Sequence, residues 1–190
     1  MGLRHNGFVV FVGKFATWQG IDTILAALDS EHWPDDLPIV FVGDGADEPL
    51  VVAAAARDSR VHYVGRVSAE RALAWTGGAA MSLAVRKAGP ASERGVSPYK
   101  VLEAAALGTP VVATRVRGQS SLVEALESGV LIDPDDPPAL AEAIQHLWHD
   151  RDLRERLSVS SRQRSGAYTW RAGARGLVAA LQSAGWHRNE

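Results

Sequence analysis

Six short apolar runs punctuate the first two thirds of the chain, and each is followed within a few residues by a turn or a helical pattern. They are Phe8–Val12, Ile39–Val42, Val61–Val64, Ala80–Val85, Pro110–Ala113 and Val130–Asp133. The first three run directly into Gly13, Gly43 and Gly65. Runs that are apolar at successive positions, and so on both faces, suit strands of a parallel sheet covered by helices above and below. Between them the apolar residues change to helical spacing. Ile21, Ile24, Leu25 and Leu28 share one face, as do Ala69, Ala72 and Leu73, then Val101, Leu102, Ala105 and Ala106. After Asp133 the strand signal stops and helices fill the remainder, beginning with Leu140, Ile144, Leu147 and Trp148. The series predicts an α/β fold, a doubly wound, mainly parallel six-stranded Rossmann-like sheet with C-terminal helices.

The 190 residues suit one domain over 1–190, with enough chain to bury a core without a metal or disulfide staple. There is no cysteine, which removes thiolate metal sites and a cysteine nucleophile and fits a reducing, cytoplasmic location. Twenty Lys+Arg stand against 22 Asp+Glu, so the basic excess of a dedicated nucleic-acid binder is missing. No apolar run approaches the length of about 18 residues that a membrane-spanning helix needs.

In an open sheet of this kind ligands bind beyond the carboxyl ends of the strands, so the residues after each run are the ones to examine. The most informative is Ser97-Pro-Tyr-Lys-Val-Leu-Glu-Ala-Ala-Ala-Leu-Gly-Thr-Pro-Val-Val112. Ser97 is a good N-cap, Pro98 a good first helical residue, and Gly108 a good stop. A loop of small residues, Ala88 to Gly95, leads into it. A helix start offers free N–H groups to an anion. Lys100 in the first turn opposes the helix dipole, which makes sense if a phosphate shares the site. Glu103, one turn on, can accept hydrogen bonds from sugar hydroxyls. The alternative is an ordinary capped helix with both side chains in solvent.

A second candidate is Val12-Gly-Lys-Phe-Ala-Thr-Trp-Gln-Gly-Ile21, where Gly13 and Gly20 permit close approach and Lys14 can reach a phosphate. It matches neither the Walker nor the dinucleotide fingerprint. Val42-Gly-Asp-Gly-Ala-Asp-Glu48 carries three acids that would repel a phosphate and reads as a structural turn. Asp133, Asp135 and Asp136 among prolines read as a solvated turn, not a calcium loop. The six histidines are scattered, and His146 with His149 lacks a third ligand.

Together these segments resemble the C-terminal, donor-binding half of a GT-B fold glycosyltransferase, most similar to glycosyltransferase family 4. The stretch from Ser97 is the specific part of the resemblance. Val12-Gly-Lys with Gln19-Gly-Ile, Val61 to Ser68, Asp133-Pro, Leu140 to Ile144 and Tyr168-Thr-Trp170 add to it. The resemblance implies two facing Rossmann-like domains, this chain holding a UDP- or GDP-linked sugar donor and a missing N-terminal domain holding the acceptor. It implies donor contacts at Gly13, Lys14, Gln19, Arg66, Val67, Ser97, Pro98, Tyr99, Lys100 and Glu103. The helix start and Lys14 would meet the diphosphate, Glu103 the ribose, and the backbone at Arg66 and Val67 the base. It implies transfer of a hexose without a metal or other cofactor, no nucleic-acid partner, and leaves peripheral membrane contact of the whole enzyme open. Three departures stand out. Gln19 replaces the family's usual lysine, Gly95 replaces the first of its paired glutamates, and the Asp often found near Ala79-Ala80 is absent. They motivate an alternative, a non-catalytic GT-B-like binding or scaffold module.

Overall fold

The computed structural model describes residues 2–95 and 98–183. Its strands are β1 (Val9–Val12), β2 (Ile39–Val42), β3 (Val61–Gly65), β4 (Met81–Ala84), β5 (Val111–Thr114) and β6 (Gly129–Ile132). Its helices are α1 (Ile21–Leu28), α2 (Glu48–Arg57), α3 (Ala69–Gly78), α4 (Pro90–Glu93), α5 (Tyr99–Leu107), α6 (Gln119–Leu126), α7 (Pro137–His149), α8 (Arg151–Ser165) and α9 (Trp170–Ser183). Short 3₁₀ turns lie at Thr17–Gln19 and Gly166–Tyr168.

All six strands pair in parallel, in the order β3-β2-β1-β4-β5-β6. Each apolar run identified in the sequence supplies one strand, with ends that differ by a residue or so. The reason for the unbroken runs is visible in the packing. Val9 and Phe11 face a core built with Ile21 and Ile24 of α1, Val51 of α2 and Leu140 and Ile144 of α7. Val10 of the same strand faces the other side, with Phe8, Val40 and Ala79. Further along that second side, Ala113 packs with Val101 and Ala104 of α5 and Leu122 of α6. A two-sided core needs an apolar residue at every position. A polar residue buried here must find a partner, and Trp33 does so by donating its indole N–H to Leu37 O at 2.9 Å.

The order of strands fixes where a ligand can sit. The chain steps outward from β1 through β2 to β3, then returns to place β4 on the other side of β1. The connections therefore diverge between the exits of β1 and β4, leaving a crevice. The C-terminal helices lie apart from it. In α9 no residue is buried, and Trp170, Leu177 and Val178 are exposed.

Candidate functional site: a cation held at the switch point

The exits of β1, β2 and β3 are laced together by main chain. Gly13 N donates to Val42 O and Gly43 N to Gly65 O, each at 2.9 Å. Gly13 has φ 141° and Gly43 φ 142°, a region that side-chain-bearing residues rarely adopt. A Cβ on Gly43 would stand 1.8 Å from Gly13 O. The turn of acids after β2 is thus structural, as its sequence implied. Asp44 nevertheless borders the cleft that this close packing leaves.

That cleft has a volume of about 320 Å³. Val12, Val42, Val67 and Ala72 give it apolar walls, and Lys14 and Arg66 bring positive charge. Arg66 Nη1 approaches Asp44 Oδ2 at 3.8 Å, with both groups well exposed, so the pair contributes little to stability. Four of the sequence-predicted residues, Gly13, Lys14, Arg66 and Val67, therefore meet around one concavity.

Gly13 also belongs to a second group. A Cβ added to it would lie 2.7 Å from Lys100 Cε and 3.0 Å from Nζ, so the lysine tip lies against its bare Cα. The Lys100 ammonium donates to Gln19 Oε1 at 2.8 Å and sits 3.8 Å from the centre of the Phe11 ring. Burial pulls its pKa down to about 7; a nearby Arg86 charge adds to the fall, and Glu103 opposes it. Glu103 is half-buried, and burial raises its pKa while Lys100 holds it back. Among the described residues, no ion pair or hydrogen bond engages the Glu103 carboxylate.

Helix α5 begins one residue later than the sequence implies. Pro98, expected as the first helical residue, is the N-cap instead, with φ −85° and ψ 68°. Its carbonyl accepts from Val101 N and Leu102 N at 3.0 and 3.2 Å, but proline has no side-chain oxygen with which to cap. No side chain caps this helix start among the described residues. Ser97, the expected cap, lies outside them. Tyr99 is exposed, whereas Gly108 closes the helix in the left-handed conformation, as read from the sequence.

Gln19 plays a part that the sequence did not reveal. Read alone, it is a missing positive charge; in the structure it is the acceptor that holds the Lys100 ammonium. A lysine there would bring two ammonium groups together, so the uncharged residue at 19 and the charged one at 100 form a matched pair. Phe11, Asp44 and Arg86 also escaped the sequence reading. Arg86 could have been found, because it lies two residues beyond the end of β4.

A doubly wound parallel sheet with cations gathered at its switch point places the protein in the Rossmann-like α/β class. Within that class the chain belongs to the family described as glycosyl transferases group 1, whose model matches residues 6–150. Its fold is that of the C-terminal Rossmann-like half of GT-B glycosyltransferases. It is 29% identical over 183 residues to a D-inositol 3-phosphate glycosyltransferase of Corynebacterium kroppenstedtii, covering 91% of this chain and 40% of the relative. It is 30% identical over 166 residues to the alpha-D-kanosaminyltransferase of Streptomyces kanamyceticus, covering 84% and 41%. The Anabaena protein HepE, solved in complex with UDP, superposes with a TM-score of 0.77 at 19% identity, covering 94% of this chain and 49% of HepE. The chain thus spans less than half the length of these similar proteins.

Proposed function

We propose that this chain is the donor-binding half of a hexosyltransferase, and that it holds a UDP- or GDP-linked sugar at the crevice between the β1 and β4 exits. A second, N-terminal domain outside this chain holds the acceptor, and the isolated half transfers little or nothing. One observation carries the reading. A partly buried ammonium is brought to the mouth of a parallel sheet, beside a helix start whose N–H groups no described side chain caps. Partly burying a cation whose hydrogen-bond partner is a neutral amide is costly, and a ligand anion would offset that cost.

In this reading the diphosphate lies against Lys100, Lys14 and the first N–H groups of α5, near Ser97, Pro98 and Tyr99. Glu103 accepts from the ribose hydroxyls. The base enters the apolar cleft beside Gly13, Arg66 and Val67. When the bond between the sugar carbon and the diphosphate oxygen breaks, its electron pair remains on the phosphate. Two ammonium groups and the helix dipole then stabilise the developing charge. Gln19 contributes by orienting one of those ammonium groups. The absence of cysteine is in keeping with a cytoplasmic site of action. Among the described residues no helix is long and apolar enough to cross a membrane.

Calorimetric titration of the chain with UDP, GDP and ADP tests the proposal. One of them binds, Glu103→Ala abolishes the binding and Lys14→Ala weakens it. No binding of any of the three at millimolar concentration refutes it. The alternative of a non-catalytic module rests on Gln19 and Gly95, and turnover of a nucleotide sugar by the full-length protein overturns it.

A further inference from the structure

One charged group at the crevice has no evident role in holding the fold together. Arg86 lies two residues beyond the end of β4, on the far side of the switch point from Lys14. Its main chain is firmly placed. Arg86 N donates to Thr114 Oγ1 at 2.9 Å, and the next residue, Lys87, donates its N–H to Trp18 O at 3.1 Å. Ala88 N donates to Asp135 Oδ2 at 2.9 Å, and Ser92 Oγ to Lys87 O at 2.7 Å. Beneath the loop, the buried Gln119 Nε2 donates to Ala84 O and Thr114 O at 2.8 and 2.9 Å. A segment tied to β5, to the β1 exit and to the turn after β6 is a built support.

Among the described residues, the guanidinium on that support finds no partner. Arg86 Nε is buried and makes no hydrogen bond, and no ion pair reaches this side chain among the described residues. Structural cations elsewhere in the chain are treated differently. Arg60 grips the Asp58 carboxylate at 2.8 Å and donates to Leu28 O at 2.9 Å, and Lys87 meets Asp22 at 2.6 Å. Leaving a buried donor unmade is costly, and more so for a charged group. The Arg86 charge also stands close enough to Lys100 to depress its protonation. Two cations therefore repel each other near the β1 and β4 exits, with Glu103 felt by Lys100 as the opposing charge. A bidentate anion between them would satisfy the guanidinium fork and relieve the repulsion.

We propose that Arg86 is a diphosphate-binding residue, which with Lys100 grips the donor's diphosphate from the β4 side of the crevice. The proposal rests on the donor reading above and adds to it a residue and a direction of approach.

The test is calorimetry on the wild-type chain, Arg86→Met and Arg86→Lys, using whichever of UDP, GDP and ADP binds the wild type. Arg86→Met should weaken that nucleoside diphosphate at least tenfold. Arg86→Lys, which keeps the charge but loses the fork, should weaken it about threefold. The melting temperature of ligand-free Arg86→Met should equal or exceed that of the wild type, since the lost group had no partner. A diphosphate affinity within twofold of wild type in Arg86→Met overturns the assignment and leaves the donor reading standing. So does a drop in ligand-free melting temperature without a loss of affinity, which marks a structural role. If Arg86→Met does not fold, Arg86→Lys decides, and unchanged binding there overturns the assignment. Failure of all three diphosphates to bind the wild type overturns the donor reading itself, and Arg86 with it.

Discussion

Replacing Lys100 by Met should make the ligand-free protein more stable while removing its ability to hold a diphosphate. Burial lowers the lysine from 10.5 to about 7. At 1.36 kcal/mol per unit this amounts to about 5 kcal/mol of penalty on the charged form. That figure is already net of the ammonium's hydrogen bond to Gln19 and its place over the Phe11 ring, because a pKa shift compares the two protonation states with their contacts in place. Met keeps the packing on Phe11 and leaves Gln19, which is only partly buried, to water. The variant is therefore more stable near pH 6 by up to about 5 kcal/mol, less what the neutral amine's own contacts contribute, and its melting temperature rises accordingly. The sign with pH follows from the direction of the shift. The folded lysine has the lower pKa, so its penalty is fully present below about 7. It fades as the pH rises toward the unfolded value near 10.5. Urea denaturation of both proteins at pH 6, 7.5 and 9.5 reads this out, and the advantage of Lys100→Met should shrink steadily across the series. A variant less stable than wild type at pH 6, or a difference that does not change with pH, would show that the buried charge is not the strained element described here.

Three further outcomes follow from the same geometry. Nucleoside diphosphate binding at pH 8 should take up close to one proton per site, because the ligand's charge re-protonates Lys100; calorimetry in buffers of different ionisation enthalpy measures it, and zero uptake counts against a Lys100–phosphate contact. Gly13→Ala should cost about 1–3 kcal/mol in urea denaturation, since φ 141° is strained for alanine and the new Cβ meets Lys100 Cε. Gln119→Leu should cost about 2–3 kcal/mol by leaving the Ala84 and Thr114 carbonyls without this donor, and should also weaken diphosphate binding severalfold by loosening the loop under Arg86; unchanged stability would show that the amide is dispensable.

The strands were legible because a buried parallel strand leaves an unbroken apolar run, and at β1, β2 and β3 a glycine marks where it ends. Lys100 was legible for a local reason as well, since a cation in the first turn of a helix opposes the dipole and calls for an explanation. Gln19 was not, because its meaning depends on a side chain 81 positions away, which only the sheet topology brings within hydrogen-bonding distance. Phe11 reads from sequence as one more core residue, and it is fully buried, yet its ring also meets the ammonium. The one-residue displacement at Pro98 reflects a ψ angle that neither capping preference nor residue type specifies.

The crowding of the first three strand exits has a consequence for how such a cleft can diversify. At Gly13 and Gly43 the floor is bare peptide, and a side chain at either would strike a neighbour. A floor of this kind offers substitution nothing to work on. If the cleft takes the donor's base as proposed, any change in which base is accepted has to be written on the walls, at Lys14, Asp44, Arg66, Val67 and Ala72, where side chains can vary without disturbing the sheet. The result is a fixed bed with an editable rim, in which ligand preference can drift while the fold and its buried lysine stay the same.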